Sequence, residues 1–555
     1  MLRRVLPSCA AALVCLSGPA WAATYYVSPG GNNFNAGTSP SAAWRDIDGV
    51  NARTFGPGDR ILFEGGHTFS GTLFFDAADA GTAANPVVVS SYGSGRATIY
   101  GAGGRGILGY NTAGFRISHL YVVGAGRDAS TASGILFFTD LPGDVLLDFL
   151  EITHVDAVRF GRYGIEIGGN AGRSGFRNVR ITHVVASENG LGGIFTYAQQ
   201  RAVHRNVYVG QSSAFLNAGF AGLTYNSGNG ITLSSVDGGT IERCVAHGNG
   251  WRSDASNGPV GIWTFDSNAV VIQLNESYNN RTGGTKDGGG FSLDNSTSNS
   301  VLQYNYSHDN AGAGYMLAHK WDDQVHSGNV IRYNISENDG MRNQYAALQT
   351  WGRIRNAHIH HNTVYLTYAH GAQRGIYVRN RSIESQDPER LYFRNNVIQT
   401  KGGAALMTVD ATAVDRAVDL RFEGNLYWST GSAFKIYWNG TLYSSLAAWR
   451  SATGQERLGG ADVGLSADPQ LAAPGAGLDY NNANLIHDAW QYRLKATSPA
   501  IDAGVSLSAL GVNNGGRDYF GAPAVLNRAD GGAPAVHGAC NRTRTPASAS
   551  VPAGG

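Results

Sequence analysis

Charge is scarce in this 555-residue chain: Lys, Arg, Asp and Glu together make 15% of it, and the formal net charge is +1. A protein that grips nucleic acid needs a concentrated basic surface, so this balance argues against a nucleic-acid partner. Cysteine is scarcer. Of four, Cys9 and Cys15 fall in an N-terminal stretch that reads as a leader, which leaves Cys244 and Cys540. Two cysteines so far apart make no disulfide framework, so stability must come from other contacts. Cys244 falls at a repeat position that points inward and is expected as a buried thiol. Beyond the leader no apolar run is long enough to span a bilayer, so no membrane partner is expected.

The leader itself has Arg3 and Arg4, an apolar run to about Leu16 and small residues at Ala20 and Ala22. That is the layout of a secretory signal, with cleavage expected near Ala22 or Ala23. The expectation is an exported, secreted or periplasmic monomer.

What the chain has in abundance is glycine, 76 residues, together with Asn, Ser, Thr and Tyr. That composition suits short strands and tight turns rather than long helices. Segments that alternate apolar and polar and then place Asn or His recur along the chain. The residues in register are His119, His154, His183, Ser212, Cys244, Asn275, Asn305, Asn334, Asn362, Asn396 and Asn425, spaced 28 to 35 residues apart. A second strand follows in most units, as in GIEI from Gly164, GIWTF from Gly261, GFSLD from Gly290 and GIYV from Gly375. Short strands at a fixed interval, none able to bury a face alone, are the signature of a solenoid. Stacked coils bring equivalent residues about 4.8 Å apart. The register column then becomes an inward ladder of Asn amides, with Ser277, Ser307 and Ser336 stacking two residues on. Eleven coils are read in this way.

The expected division is a signal at 1–22, an N-terminal cap and first strands at 23–105, coils at 106–430, a C-terminal capping segment at 431–537 and a disordered tail at 538–555. The capping segment should contain a short helix from about Ser445. The opening YYVSPGGN, the run DGGGFSLD followed by SNSVLQYNYSHDNAGAGYML, and the closing LAAWRSATGQE, SPAIDAG and GRDYFG occur in that order. In these the chain resembles secreted bacterial right-handed parallel β-helix proteins of the pectate-lyase-like superfamily. The resemblance implies an all-β right-handed parallel β-helix with caps at both ends, and a carbohydrate-active protein with a polysaccharide substrate. It does not name the polymer, because that scaffold serves lyases, hydrolases, epimerases and tailspikes. The paired-aspartate, His-Gly and Arg-Ile-Lys set of a polygalacturonase is missing.

The stretch from Lys286 to Asp323 crowds acids, bases and aromatics among glycines. Strand alternation turns Phe291 and Leu293 inward and Ser292 and Asp294 outward. Trp263, Phe265, Met316, Tyr377, Arg379 and Glu166 should share that outer face. Asp287 and Asp309 read as turn residues leading into one strand position in adjacent coils, which would bring them about 5 Å apart, with Asp294 roughly 10 Å away. Glycosidases use the shorter separation for a nucleophile and an acid/base, and the longer to admit a water. The candidate catalytic residues are therefore Asp294, Asp287 and Asp309, and the candidate sugar-binding residues are Trp263, His308, Lys320, Trp321 and Arg379. Hydrolysis would need no cofactor. The alternative is a lyase or epimerase, in which Lys286, Lys320 or Arg379 supplies the base and the three aspartates hold calcium. A third reading is a non-catalytic glycan-binding protein. The bland readings are turn formation for Asp287 and Asp309, a hydrogen-bonded surface residue for His308, solvated side chains for Glu276 and Glu337, and core positions for His119, His154 and His183.

Overall fold

The computed structural model describes residues 22–320, 325–367, 373–380, 388–477 and 479–523. The expected signal up to residue 21, Trp321, Cys540 and the expected tail lie outside the described residues.

One coil shows how the sequence builds the fold. Asn268–Gln273 forms a strand, Leu274 turns the chain at φ 60°, Glu276–Tyr278 forms a second strand, and Gly289–Leu293 a third after a longer loop. The first two strands of each coil join a 25-stranded sheet, here called sheet one. The third joins a 14-stranded sheet, sheet two, in which only the last pairing is antiparallel, so thirteen strands stack in parallel. Eleven coils were legible in sequence because the first turns lack the Asn or His signal. Parallel pairing already begins where Thr24–Val27 meets Arg60–Glu64. The core between the sheets is a continuous apolar stack that includes Ile241, Ile272, Leu302, Ile331 and Ile359.

The Asn ladder is present. The side-chain amide of Asn275 donates to Asn305 at 3.0 Å, and Asn305, Asn334, Asn362 and Asn396 each pass the same bond to the next coil at 2.9 to 3.0 Å. Each rung also accepts the backbone N–H of its neighbour, for example Asn275 N to Asn305 Oδ1 at 3.0 Å. Ser277, Ser307 and Ser336 stack in register two residues further on, all fully buried. A second ladder runs beside the first through Asn217, Asn249, Asn280 and Asn310. An amide that donates forward needs an acceptor at the end of the row, and in both ladders a carboxylate supplies it. Asn310 donates to Asp339 at 2.8 Å and Asn425 to Glu456 at 2.8 Å. Burial pushes both acids up to about 7.

The three histidines are not part of the ladder. His119, His154 and His183 are exposed, with φ of 53°, 55° and 53°, and stack on one another at 5.0 and 4.5 Å. They occupy the turn residue one position before the inward column, whose members there are Leu120, Val155 and Val184. Cys244 does sit in the column, buried and without a disulfide partner among the described residues, and burial holds its thiol up at about 12.

A short helix, Ile47–Asn51, capped by Asp46, covers the first coils. Another, Leu446–Thr453, starts at the N-cap Ser445 and ends at Gly454 in the left-handed region. The chain then folds back along sheet one: Leu471, Ile486, Tyr492 and Tyr519 pack on Tyr306, Ile335 and Tyr365. Among the described residues no helix is long and apolar enough to cross a membrane.

Candidate active site

Sheet two carries the site. Its outward residues stack coil on coil, Thr232, Trp263, Ser292, Met316, Gln349 and Tyr377 in one column. Two residues on, Phe265 precedes Asp294, and Ala318, Trp351 and Arg379 follow it, Ala318, Trp351 and Arg379 being directly paired. The face is less open than alternation alone suggests. Trp263 keeps 7% of its surface, stacked on Phe265 at 4.9 Å and donating its indole N–H to Asn229 Oδ1 at 3.0 Å, and Ser292 keeps none. Phe265, Trp351 and Asp294 remain partly exposed, and Arg379 is exposed.

Asp294 and Asp287 flank the strand Gly289–Leu293. The Asp294 N–H donates to Thr264 O at 2.8 Å, and one carboxylate oxygen accepts the Asn295 N–H at 2.7 Å. Burial raises the Asp294 carboxyl to about 7, and the charges of Asp287 and Asp266 push the same way, while the Asn295 bond and Lys320 oppose them. Lys320 is held close by its own N–H, which donates to Asn295 Oδ1 at 3.0 Å.

Asp287 sits at a sharp turn, φ 53° followed by Gly288 at 78°. Its Oδ2 accepts the Gly258 N–H at 2.8 Å and its Oδ1 the Tyr345 hydroxyl at 2.9 Å, while its own N–H donates back to the Tyr345 oxygen at 2.9 Å. Burial raises its pKa, with these hydrogen bonds and Lys286 opposing. Asp287 thus holds the turn: one oxygen ties down a backbone amide of the previous coil, and the other is fixed by a phenol. Tyr345 was not legible in the sequence, since it comes from a loop 58 residues away. Trp351 was missed as well, although its outward place in Ala346–Gly352 follows from alternation.

Asp309 is elsewhere. The coil-mate of the Asp287 turn is Gly312, whose N–H donates to Gly288 O at 2.9 Å. Asp309 instead occupies the left-handed turn shared by Asn279 and Asn338, at the edge of sheet one. The expected 5 Å pairing of Asp287 with Asp309 does not form, because the loop into Gly289–Leu293 is longer than the loop into the next strand. His308 precedes Asp309 on sheet one and is fully buried, not a surface residue. Its Nδ1 lies 3.0 Å from Asp309 Oδ2 and its Nε2 3.3 Å from Glu276 Oε1. Burial alone would lower its pKa, and the bonds to Asp309 and Glu276 raise it to about 9. Glu276 and Glu337 are buried too, 0% and 1% exposed, under the returning C-terminal segment. Arg379 lies on sheet two three coils beyond Asp294, roughly 14 Å at the strand spacing, with its Nε 3.8 Å from Asp410.

A family model described as a right handed beta helix region matches residues 205–398. The chain is a right-handed parallel β-helix. It is 26% identical over 451 residues to a lacto-N-biosidase of Bifidobacterium longum subsp. longum, a match covering 62% of this chain and 27% of that protein. The chain thus spans about a quarter of the length of that curated relative. Among solved structures, a GH136 lacto-N-biosidase from Eubacterium ramulus is 16% identical with a TM-score of 0.41, covering 65% of this chain and 68% of that one. The pectate lyase Pel9A is 19% identical with a TM-score of 0.39, covering 87% and 92%.

Proposed function

We propose that this β-helix is an exported carbohydrate-active enzyme that hydrolyses glycosidic bonds with Asp294 and Asp287. The observation that carries the reading is the pair itself: two partly exposed carboxyls flank one strand, one held near neutrality and the other fixed by a phenol and an amide. Two acids whose surroundings differ are what general acid and base work requires. Asp294, protonated for much of the time near pH 7, donates its proton to the leaving glycosidic oxygen. Asp287, oriented by Tyr345 and Gly258, acts on the anomeric carbon directly or through a water. Net, one water is added and one C–O bond is broken. Phe265 and Trp351 offer ring faces to sugar on either side of Asp294, and Lys320 and Arg379 address hydroxyls or carboxylates. The sequence similarity to a lacto-N-biosidase agrees with hydrolysis.

The elimination alternative draws on Lys320 as base. With Asp309 on the other sheet, its expected set of three calcium-holding aspartates is reduced to two. The test is incubation with a panel of neutral and uronate oligo- and polysaccharides, with and without chelator, following reducing ends and the absorbance of unsaturated products. Reducing ends without unsaturation are expected. Unsaturated products that disappear with chelator contradict the reading, and binding without any product favours a glycan-binding role.

A further inference from the structure

The cluster around His308 is unused by this chemistry. It lies on sheet one, under the returning C-terminal segment, and joins groups from three places in the chain. His308 Nδ1, Asp309 Oδ2 and Asp479 Oδ1 all lie within 4.8 Å of one another, with Nδ1 3.0 Å from Asp309 and 3.6 Å from Asp479. Two ligands of one tetrahedral zinc at bond lengths of about 2.0 to 2.1 Å are separated by roughly 3.3 Å, between those two distances. On the far edge of the ring, Nε2 meets Glu276 Oε1 at 3.3 Å. A metal-bound imidazole characteristically donates its other N–H to a carboxylate, which fixes the tautomer and aims the free nitrogen.

The charge count points the same way. Glu276, Asp309 and Asp479 meet one imidazole, and Glu337 pairs in backbone register with His308 in the next coil. Among the described residues none of the four is ion-paired to Lys or Arg. One fully buried carboxylate oxygen, Glu276 Oε2, has no hydrogen-bond partner among the described residues. Glu276 is fully buried, whereas the Asp309 and Asp479 side chains are 33% and 56% exposed. Close carboxylates with no Lys or Arg partner repel one another, and a divalent cation between Asp309 and Asp479 would offset that charge.

We infer that His308, Asp309 and Asp479 form a binding site for a divalent transition-metal ion of the zinc class, oriented by Glu276, which clasps the C-terminal segment onto the helix. One imidazole with two carboxylates suits zinc-class ions, whereas calcium takes six to eight oxygens. Asp479 comes from the returning segment and the other two ligands from a coil, so the ion cross-links parts of the chain 170 residues apart. Tyr480 beside it already anchors to the coil, its N–H donating to Glu276 Oε1 at 2.8 Å.

The test uses the full chain, stripped with chelator and dialysed, titrated with zinc chloride by calorimetry, with bound metal measured by mass spectrometry and melting followed in parallel. One tight equivalent is expected, with a rise in melting temperature. The exposed Asp479→Asn should weaken that equivalent by about 100-fold or more, and Glu276→Gln by about 10- to 100-fold, the range for a group behind a ligand. Absence of a tight zinc equivalent overturns the site. So does zinc binding that Asp479→Asn leaves unchanged, or a preference for calcium. If Asp479→Asn lowers the melting temperature equally with and without zinc, the cluster is an ion-pair anchor and the proposal fails. Because the site is on the opposite sheet from Asp294, these outcomes are independent of the hydrolysis assay.

Discussion

Asp294→Asn should make the protein more stable while abolishing its activity, and the gain should depend on pH in a stated way. Folding raises this carboxyl from 3.8 to about 7, chiefly through burial. At about 1.4 kcal/mol per pKa unit, the ionised form is disfavoured in the native state by at most about 4 kcal/mol. Asp294 keeps some water contact, so roughly half of that, about 2 kcal/mol, is the working figure. The sign follows from the native state binding the proton more tightly than the unfolded chain. The wild-type contribution is fully present below pH 3.8, is lost as pH rises, and is gone above about pH 7. The asparagine variant has no proton to lose. Its advantage over wild type should therefore be near zero at pH 4 and grow to about 2 kcal/mol at pH 8. Urea unfolding of both proteins at pH 4, 5, 6, 7 and 8, followed by tryptophan fluorescence, reads this directly. A stability difference that is flat with pH, or an asparagine variant less stable at pH 8, refutes the placement of Asp294 as a destabilised functional acid.

Tyr345→Phe removes the phenol that favours the ionised form of Asp287. The Asp287 pKa then rises further, so the acid limb of the pH–rate profile should move to higher pH and kcat should fall by about 10- to 100-fold; an unchanged profile contradicts the assignment. Trp351→Ala should raise KM more than it lowers kcat, because a stacking ring two coils from the acid binds ground state and transition state alike. Glu456→Ala leaves the Gly424 and Asn425 amides, the Asn425 side chain and the Tyr427 hydroxyl without their acceptor. At about 1 to 3 kcal/mol for each buried orphan, stability should fall by about 4 kcal/mol or more, with faster hydrogen exchange in the last coils.

The sequence made the solenoid legible because a buried Asn must repeat at one coil length to be satisfied, and Asn275 to Asn425 do so. The same spacing misled at His119, His154 and His183: the turn residue repeats with the same period as the ladder, one position earlier, and only the backbone φ separates them. The second ladder was present as Ser277 with Asn280, Ser307 with Asn310 and Ser336 with Asp339, but alignment on one column hid it. Asp294 could be placed because strand alternation is local. Asp309 could not, because pairing it with Asp287 required equal loop lengths in consecutive coils. Tyr345 and the C-terminal cover over Glu276 depend on contacts 58 and 204 residues apart, which no periodicity encodes.

The most direct test of the account is product analysis in oxygen-18 water, with wild type and Asp294→Asn, on whichever glycan of the panel is cleaved. One labelled oxygen at each new reducing end, no unsaturated product, and loss of labelling in the folded variant are expected. Unlabelled, unsaturated ends, or a fully active Asp294→Asn, would contradict it.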